Sequence, residues 1–303
     1  MGLLIGFTTI LVVIAAGAAL AHVGVLDRRS QLTLGEIAFF VASPALMVVT
    51  ISQVHLEAAA ANLVASSVSL AACFVAYVVI ARLRWRLDTG ALLIGALSSS
   101  YVNAGNLGIA IAAYVVGDIT VVVPTLLVQM LLVQPAALIV LDRITGRGEG
   151  VAPAIRRLVT NPLTIAALLG LVLATTGWRL PAPLLSPLEM LAGAAIPLML
   201  MSYGAALRLS PPIGRAGHNG EVVVATVLKM TVMPVVAWAV GVGLGLDDRV
   251  LLGVVITAAL PTAQNIFLHA TRYRVGEDVA RETILVTTLA SLPAALIVAV
   301  LLG

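Results

Sequence analysis

Charge is scarce in this chain: of its 303 residues only 10% are Asp, Glu, Lys or Arg, while 61% are hydrophobic. A globule of that size needs a polar surface, and a mean hydropathy of +1.11 does not supply one, so lipid must solvate most of the chain. No stretch is left over that could form a soluble domain. Cysteine is almost missing as well. The single thiol, Cys73, lies inside an apolar run, which excludes an intrachain disulfide and a thiolate metal cluster. His22 and His269 do not stand at metal-ligand spacing, so neither a metal nor another cofactor is expected. No acidic residue falls at the middle of an apolar run, which removes the group that pumps and many ion-coupled carriers use for a proton or cation. A net charge of +3 and a pI near 9.4 would suggest nucleic acid in a soluble chain. Here the arginines flank apolar runs, where they set orientation, and no nucleic-acid partner is expected.

What is present is a succession of apolar runs of about 20 residues, the length that crosses a hydrocarbon core. Their breaks predict ten spans, near 3–25, 32–51, 61–81, 89–117, 119–141, 160–178, 185–207, 219–245, 249–272 and 281–302. The first could be taken for a signal peptide, but it lacks a basic leading region and is followed by Arg28 and Arg29, so it is read as a retained helix. Arginine content alternates from loop to loop. Arg28, Arg29, Arg82, Arg84, Arg86, Arg143, Arg147, Arg156, Arg157, Arg208, Arg215, Arg272, Arg274 and Arg281 fall on one side, and only Arg179 and Arg249 on the other. By the positive-inside rule the rich side is cytoplasmic, which predicts a multi-pass cell-membrane protein with both termini on the non-cytoplasmic side.

The chain also repeats itself. Glu36 and Pro44 recur as Glu189 and Pro197, 153 residues on; Asn106, Tyr114 and Gly117 recur as Asn265, Tyr273 and Gly276, 159 residues on; and PAALIV at 135–140 recurs at 293–298. Matches of Glu, Pro, Asn, Tyr and Gly in one order are not what bland apolar sequence produces by chance. The expectation is an all-α integral membrane fold of two five-helix repeats, 1–142 and 160–303, joined by a cytoplasmic linker at 143–159. An odd number of spans per copy inverts the second relative to the first.

Chemistry is expected where corresponding spans are interrupted. The fourth span carries Ser98-Ser99-Ser100-Tyr101-Val102-Asn103-Ala104-Gly105-Asn106, and the ninth carries Pro261-Thr262-Ala263-Gln264-Asn265. Irregular backbone at membrane depth is tolerated only in a protein interior or beside a wet cavity, and the N-termini of half-helices favour an anionic group. Asn103, Gly105, Asn106, Pro261, Thr262, Gln264 and Asn265 are therefore the candidate substrate-binding residues. The amides can meet a carboxylate without carrying charge themselves, although interhelical hydrogen bonding is the plainer use of such residues. Lys229, near the middle of the eighth span, is either a counter-charge or proton-coupled group for an anionic substrate, or a donor to backbone exposed at a break. Gln129 and Gln134 read as helix contacts, and Asn161 with Pro162 as a helix start.

The segments VNAGNLGIAIAAYVVGD at 102–118 and ALPTAQNIFLHATRYRVGED at 259–278 resemble the two crossover segments of the auxin efflux carrier family, and the resemblance extends over the whole chain. It implies a fold similar to the bile-acid/sodium symporters, with broken crossover helices 4 and 9, helices 1, 2, 6 and 7 as scaffold and helices 3–5 and 8–10 as a mobile transport domain. It implies a small organic anion as substrate, such as malate, malonate or an auxin-like acid, with Asn103 and Pro261 matching the crossover asparagine and proline. The chain departs from the family at Val102 and Ala110, where proline is frequent, and in lacking a long central loop.

The leading expectation is thus a non-enzymatic secondary transporter working by alternating access, with the bilayer and a small organic anion as its partners and a homodimer allowed for. Sodium-coupled symport is the alternative within transport. An intramembrane enzyme is disfavoured because the acidic doublet Asp247-Asp248 lies between spans and no HExxH occurs. A sensor or structural membrane protein would leave Lys229 and the paired breaks unexplained.

Overall fold

A computed structural model describes residues 2–53, 56–146, 156, 159–209 and 217–303 of the chain. Most of the linker at 143–159, with Arg147 and Arg157, lies outside the described residues, as do Arg215 and the side chain of Asn106. Everything described is helical or connecting, with one isolated antiparallel bridge. In chain order the segments are α1 (Gly2–His22), α2 (Arg28–Ile51), α3 (Leu56–Arg84), α4 (Thr89–Ser100), α5 (104–116), α6 (Ile119–Ile144), α7 (Pro162–Thr176), α8 (Ala182–Leu209), α9 (Asn219–Gly243), α10 (Asp248–Ala258), α11 (Gln264–Tyr273) and α12 (Glu277–Leu302).

Among the described residues, seven helices are long and apolar enough to cross a membrane: most or all of α1, α2, α3, α6, α8, α9 and α12. The other three ranges expected to span hold no continuous helix of that length. The range 89–117 is interrupted after Ser100, 249–272 is interrupted after Ala258, and 160–178 contains a helix of 15 residues. Large apolar side chains face outward along the long helices, among them Val12, Met190, Val300 and Leu301, the last 75% exposed. Such a surface suits hydrocarbon and not water.

Helix starts follow local chemistry. Asp27, Asp88, Asp247 and Asn161 each accept a hydrogen bond from an amide of the first turn that follows, at 2.7 to 3.0 Å, and Pro162 stands where a missing N–H costs nothing. The amide and hydroxyl of Ser30 hold the carboxyl of Asp27 below the usual carboxylate range. Gly117, with φ 75°, closes α5 in the left-handed conformation that other residues adopt with strain.

The chain divides into two compact units. One comprises Met1–Ala59, Gly105–Val123 and Leu158–Pro211. In it α1 crosses α8 at two glycines: a β-carbon on Gly17 would run into the backbone of Met201, and one on Gly204 into the backbone of Ile14. Gln31 and Ser202 tie α2 to α8 through reciprocal bonds of 3.0 Å. The other comprises Ala60–Ala104, Pro124–Arg157 and Pro212–Gly303. Its core gathers Ile94, Leu97 and Tyr101 with Leu138 and Leu141 of α6, Ile266 and Tyr273 of α11 and Ala280 of α12.

Candidate functional site

Within the second unit the two interrupted helices meet. α4 ends at Ser100 because Tyr101 turns extended, with φ −84° and ψ 117°. α10 ends at Ala258, and three residues on Pro261 has no N–H to continue a helix. The freed backbone is satisfied by pairing: Val102 and Thr262 form an antiparallel bridge, with Asn103 N donating to Pro261 O at 2.8 Å and Ala263 N to Tyr101 O at 3.1 Å. Backbone that would be unpaired in lipid thus finds partners in the other break.

Side chains from the neighbouring long helices close the outer edges of the bridge. Gln129 of α6, 1% exposed, accepts from Val102 N at 2.5 Å and donates to Val102 O at 3.0 Å. Thr287 of α12 accepts from Thr262 N at 3.1 Å. The Thr262 hydroxyl donates to Ser98 O at the end of α4, at 2.5 Å. The hydroxyls of Ser98, Ser99 and Ser100 all bond to carbonyls of their own helix, so this polar run is turned inward on α4.

The antiparallel register separates the candidate residues into two places. Asn103 stands opposite Pro261, on the side of the bridge that leads back into α10. It is buried, and among the described residues its amide nitrogen has no partner. Gly105 and Asn106 follow in the first, π-helical turn of α5, with Gly105 half-buried. Ala263 stands opposite Tyr101, so Gln264 and Asn265, the first residues of α11, belong to the other side. There the Tyr101 hydroxyl donates to Gln134 at 3.2 Å, and the side-chain oxygen of Asn265 is buried without a partner. No side chain caps the N-terminus of α11. Lys229 is fully buried in a π-turn of α9, and its Nζ donates to Ala258 O at 2.7 Å and lies 3.2 Å from Met233 Sδ.

Chemically, this region offers the unpartnered amide nitrogen of Asn103, the unpartnered amide oxygen of Asn265, an uncapped helix start and the Lys229 amine, and among the described residues no carboxylate bonds to the bridge or to Lys229. It is suited to negative rather than positive charge. Sequence reasoning treated Gln129 as a helix contact and did not single out Thr287, although the two flank the repeated PAALIV runs at 135–140 and 293–298 at matching distances. That symmetry is the signal that could have found the pair. It also passed over Asp142, Glu221 and Glu282, which sit near helix ends yet are buried; Tyr273 donates its hydroxyl to Asp142 at 2.5 Å.

A family described as "Membrane transport protein" matches residues 7–299. A "Putative malonate transporter" of Rhizobium meliloti (strain 1021) is 30% identical over 202 residues, 64% of this chain and 62% of that protein. "Auxin efflux carrier component 4" of Arabidopsis thaliana is 28% identical over 152 residues, 49% of this chain and 24% of that protein. The matched segments thus span less than two thirds of the first relative and about a quarter of the second. With a family match over nearly its whole length, the chain belongs to the membrane transport protein family that includes the auxin efflux carriers, a family of multi-pass transporters and not of enzymes.

Proposed function

We propose that this protein is a secondary carrier of a small organic anion, with the substrate carboxylate received beside the bridged break. The observation that carries the reading is the buried, unpartnered amide nitrogen of Asn103, next to a helix end that holds the Lys229 ammonium. A buried donor left without a partner forfeits roughly 1–3 kcal/mol, which a carboxylate would return. Pro261 and Thr262 stand across the bridge from Asn103, and Gly105 and Asn106 follow it in the chain. Gln264 and Asn265 serve the opposite side of the bridge. The relatives' names suggest malonate and auxin as the acids to try first.

In this reading the chain forms ten spans as two inverted five-helix repeats, 1–142 and 160–303, with both termini on the non-cytoplasmic side of the cell membrane. Transport proceeds by alternating access as spans 3–5 and 8–10 move against spans 1, 2, 6 and 7.

Equilibrium binding of labelled malonate, malate and indole-3-acetate to purified protein tests the site. Asn103→Ala should weaken binding of the preferred acid by about 10-fold or more, the value of a hydrogen bond to a charged group. Asn103→Asp should abolish it by setting like charges together. An acid that binds equally well to Asn103→Asp would place the carboxylate elsewhere.

A further inference from the structure

Lys229 stands beside the proposed anion site, but its own hydrogen bond goes to the end of α10. Its Nζ, fully buried, is not half of an ion pair: among the described residues its partners are Ala258 O at 2.7 Å and Met233 Sδ at 3.2 Å. Ala258 is the last residue of α10, so the ammonium sits at the C-terminal end of a half-helix. There the carbonyls of the last turn and the helix dipole present partial negative charge. Such half-helix ends, with their unwound carbonyls, are where carriers of broken-helix type coordinate an exchangeable sodium ion or proton. At the end of α4, by contrast, Ser98 O is taken by the neutral hydroxyl of Thr262. One break is closed by a hydroxyl and the other by a cation on a stem.

We propose that Lys229 is a tethered cation: its ammonium occupies the place at the end of α10 where a carrier would otherwise bind a diffusible monovalent cation, so this protein needs no sodium there. Lys229 is then a positioning residue that stabilises the broken helix and supplies positive potential without touching the substrate. The inference deepens the proposed function, yet its test reads stability and does not depend on transport.

Thermal unfolding of the purified full-length protein is followed in sodium, potassium and choline chloride at constant ionic strength. Wild type should melt at one temperature in all three. Lys229→Ala should melt several degrees lower, and n-propylammonium, which replaces the atoms removed, should restore most of that loss while n-propanol does not. Lys229→Met, of similar length without charge, should remain as unstable as Lys229→Ala. A saturable rise of the wild-type melting temperature with sodium over choline would overturn the proposal, as would equal rescue by n-propanol or a Lys229→Met protein as stable as wild type. The wild-type salt series and Lys229→Met decide the matter even without folded Lys229→Ala. A sodium-insensitive protein, rescued by n-propylammonium in its Ala variant but binding no carboxylate, would overturn the anion site alone.

Discussion

Gln129 spends both ends of one amide on one residue, accepting from Val102 N and donating to Val102 O. Thr287 does half of the same task for Thr262. These bonds hold the break open, because without them the paired backbone would keep unsatisfied groups on its outer edges. Gln129→Leu should therefore destabilise the protein by about 1–3 kcal/mol for each of the two groups left unpaired, as read from thermal unfolding. Thr287→Val should lose a similar amount for the Thr262 amide, and Thr287→Ser should recover it. Wild-type stability in Gln129→Leu would mean that the bridge does not depend on this clamp. At this scale the sequence is legible only in part. Pro261 announces a break because proline has no N–H to give. The amide of Gln129 announces nothing, since its spacing does not say which distant backbone it will meet. Lys229 is conspicuous as a charge inside an apolar run, but the carbonyl it seeks exists only once α10 has ended.

Three of the long helices carry a π-turn, at Ala38–Ala42, Gln129–Val133 and Leu228–Val232, and each ends two residues before a proline, Pro44, Pro135 or Pro234. The cause is steric: proline offers no N–H to the carbonyl four residues back and its ring crowds that carbonyl, and one wider turn relieves both. The turn also sets what projects from it, and Gln129 and Lys229 both lie within these wider turns. Proline positions are plain in the sequence, but Pro187, Pro197 and Pro293 sit in helices without such a turn, so the rule is not readable from proline alone. Glycine acts on elements too. Gly17 and Gly204 let α1 and α8 approach until a β-carbon would strike backbone, which cannot yield as a side chain can. Gly17→Ala and Gly204→Ala should each destabilise by about 1–3 kcal/mol, the usual range for overpacking. Unchanged unfolding would show that the crossing is looser than described. A hydropathy profile sees these glycines only as small apolar residues.

For the whole molecule, apolar length is the dominant signal, and it was readable because lipid asks for about 20 apolar residues whatever the fold. Seven of the expected spans correspond to helices of that length, and the three that do not include both ranges whose polar runs mark a break. Length alone cannot distinguish a continuous crossing from two half-helices, because that depends on where freed backbone groups find partners. The central proposal is that the breaks receive a carboxylate, which the protein carries across the membrane. Counterflow of labelled malate, malonate and indole-3-acetate into proteoliposomes tests it most directly, comparing wild type with Asn103→Ala, each shown to be folded by its melting curve. The account predicts accumulation of at least one acid by wild type and its loss in Asn103→Ala. No exchange of any of the three acids, or equal exchange by both proteins, would contradict it.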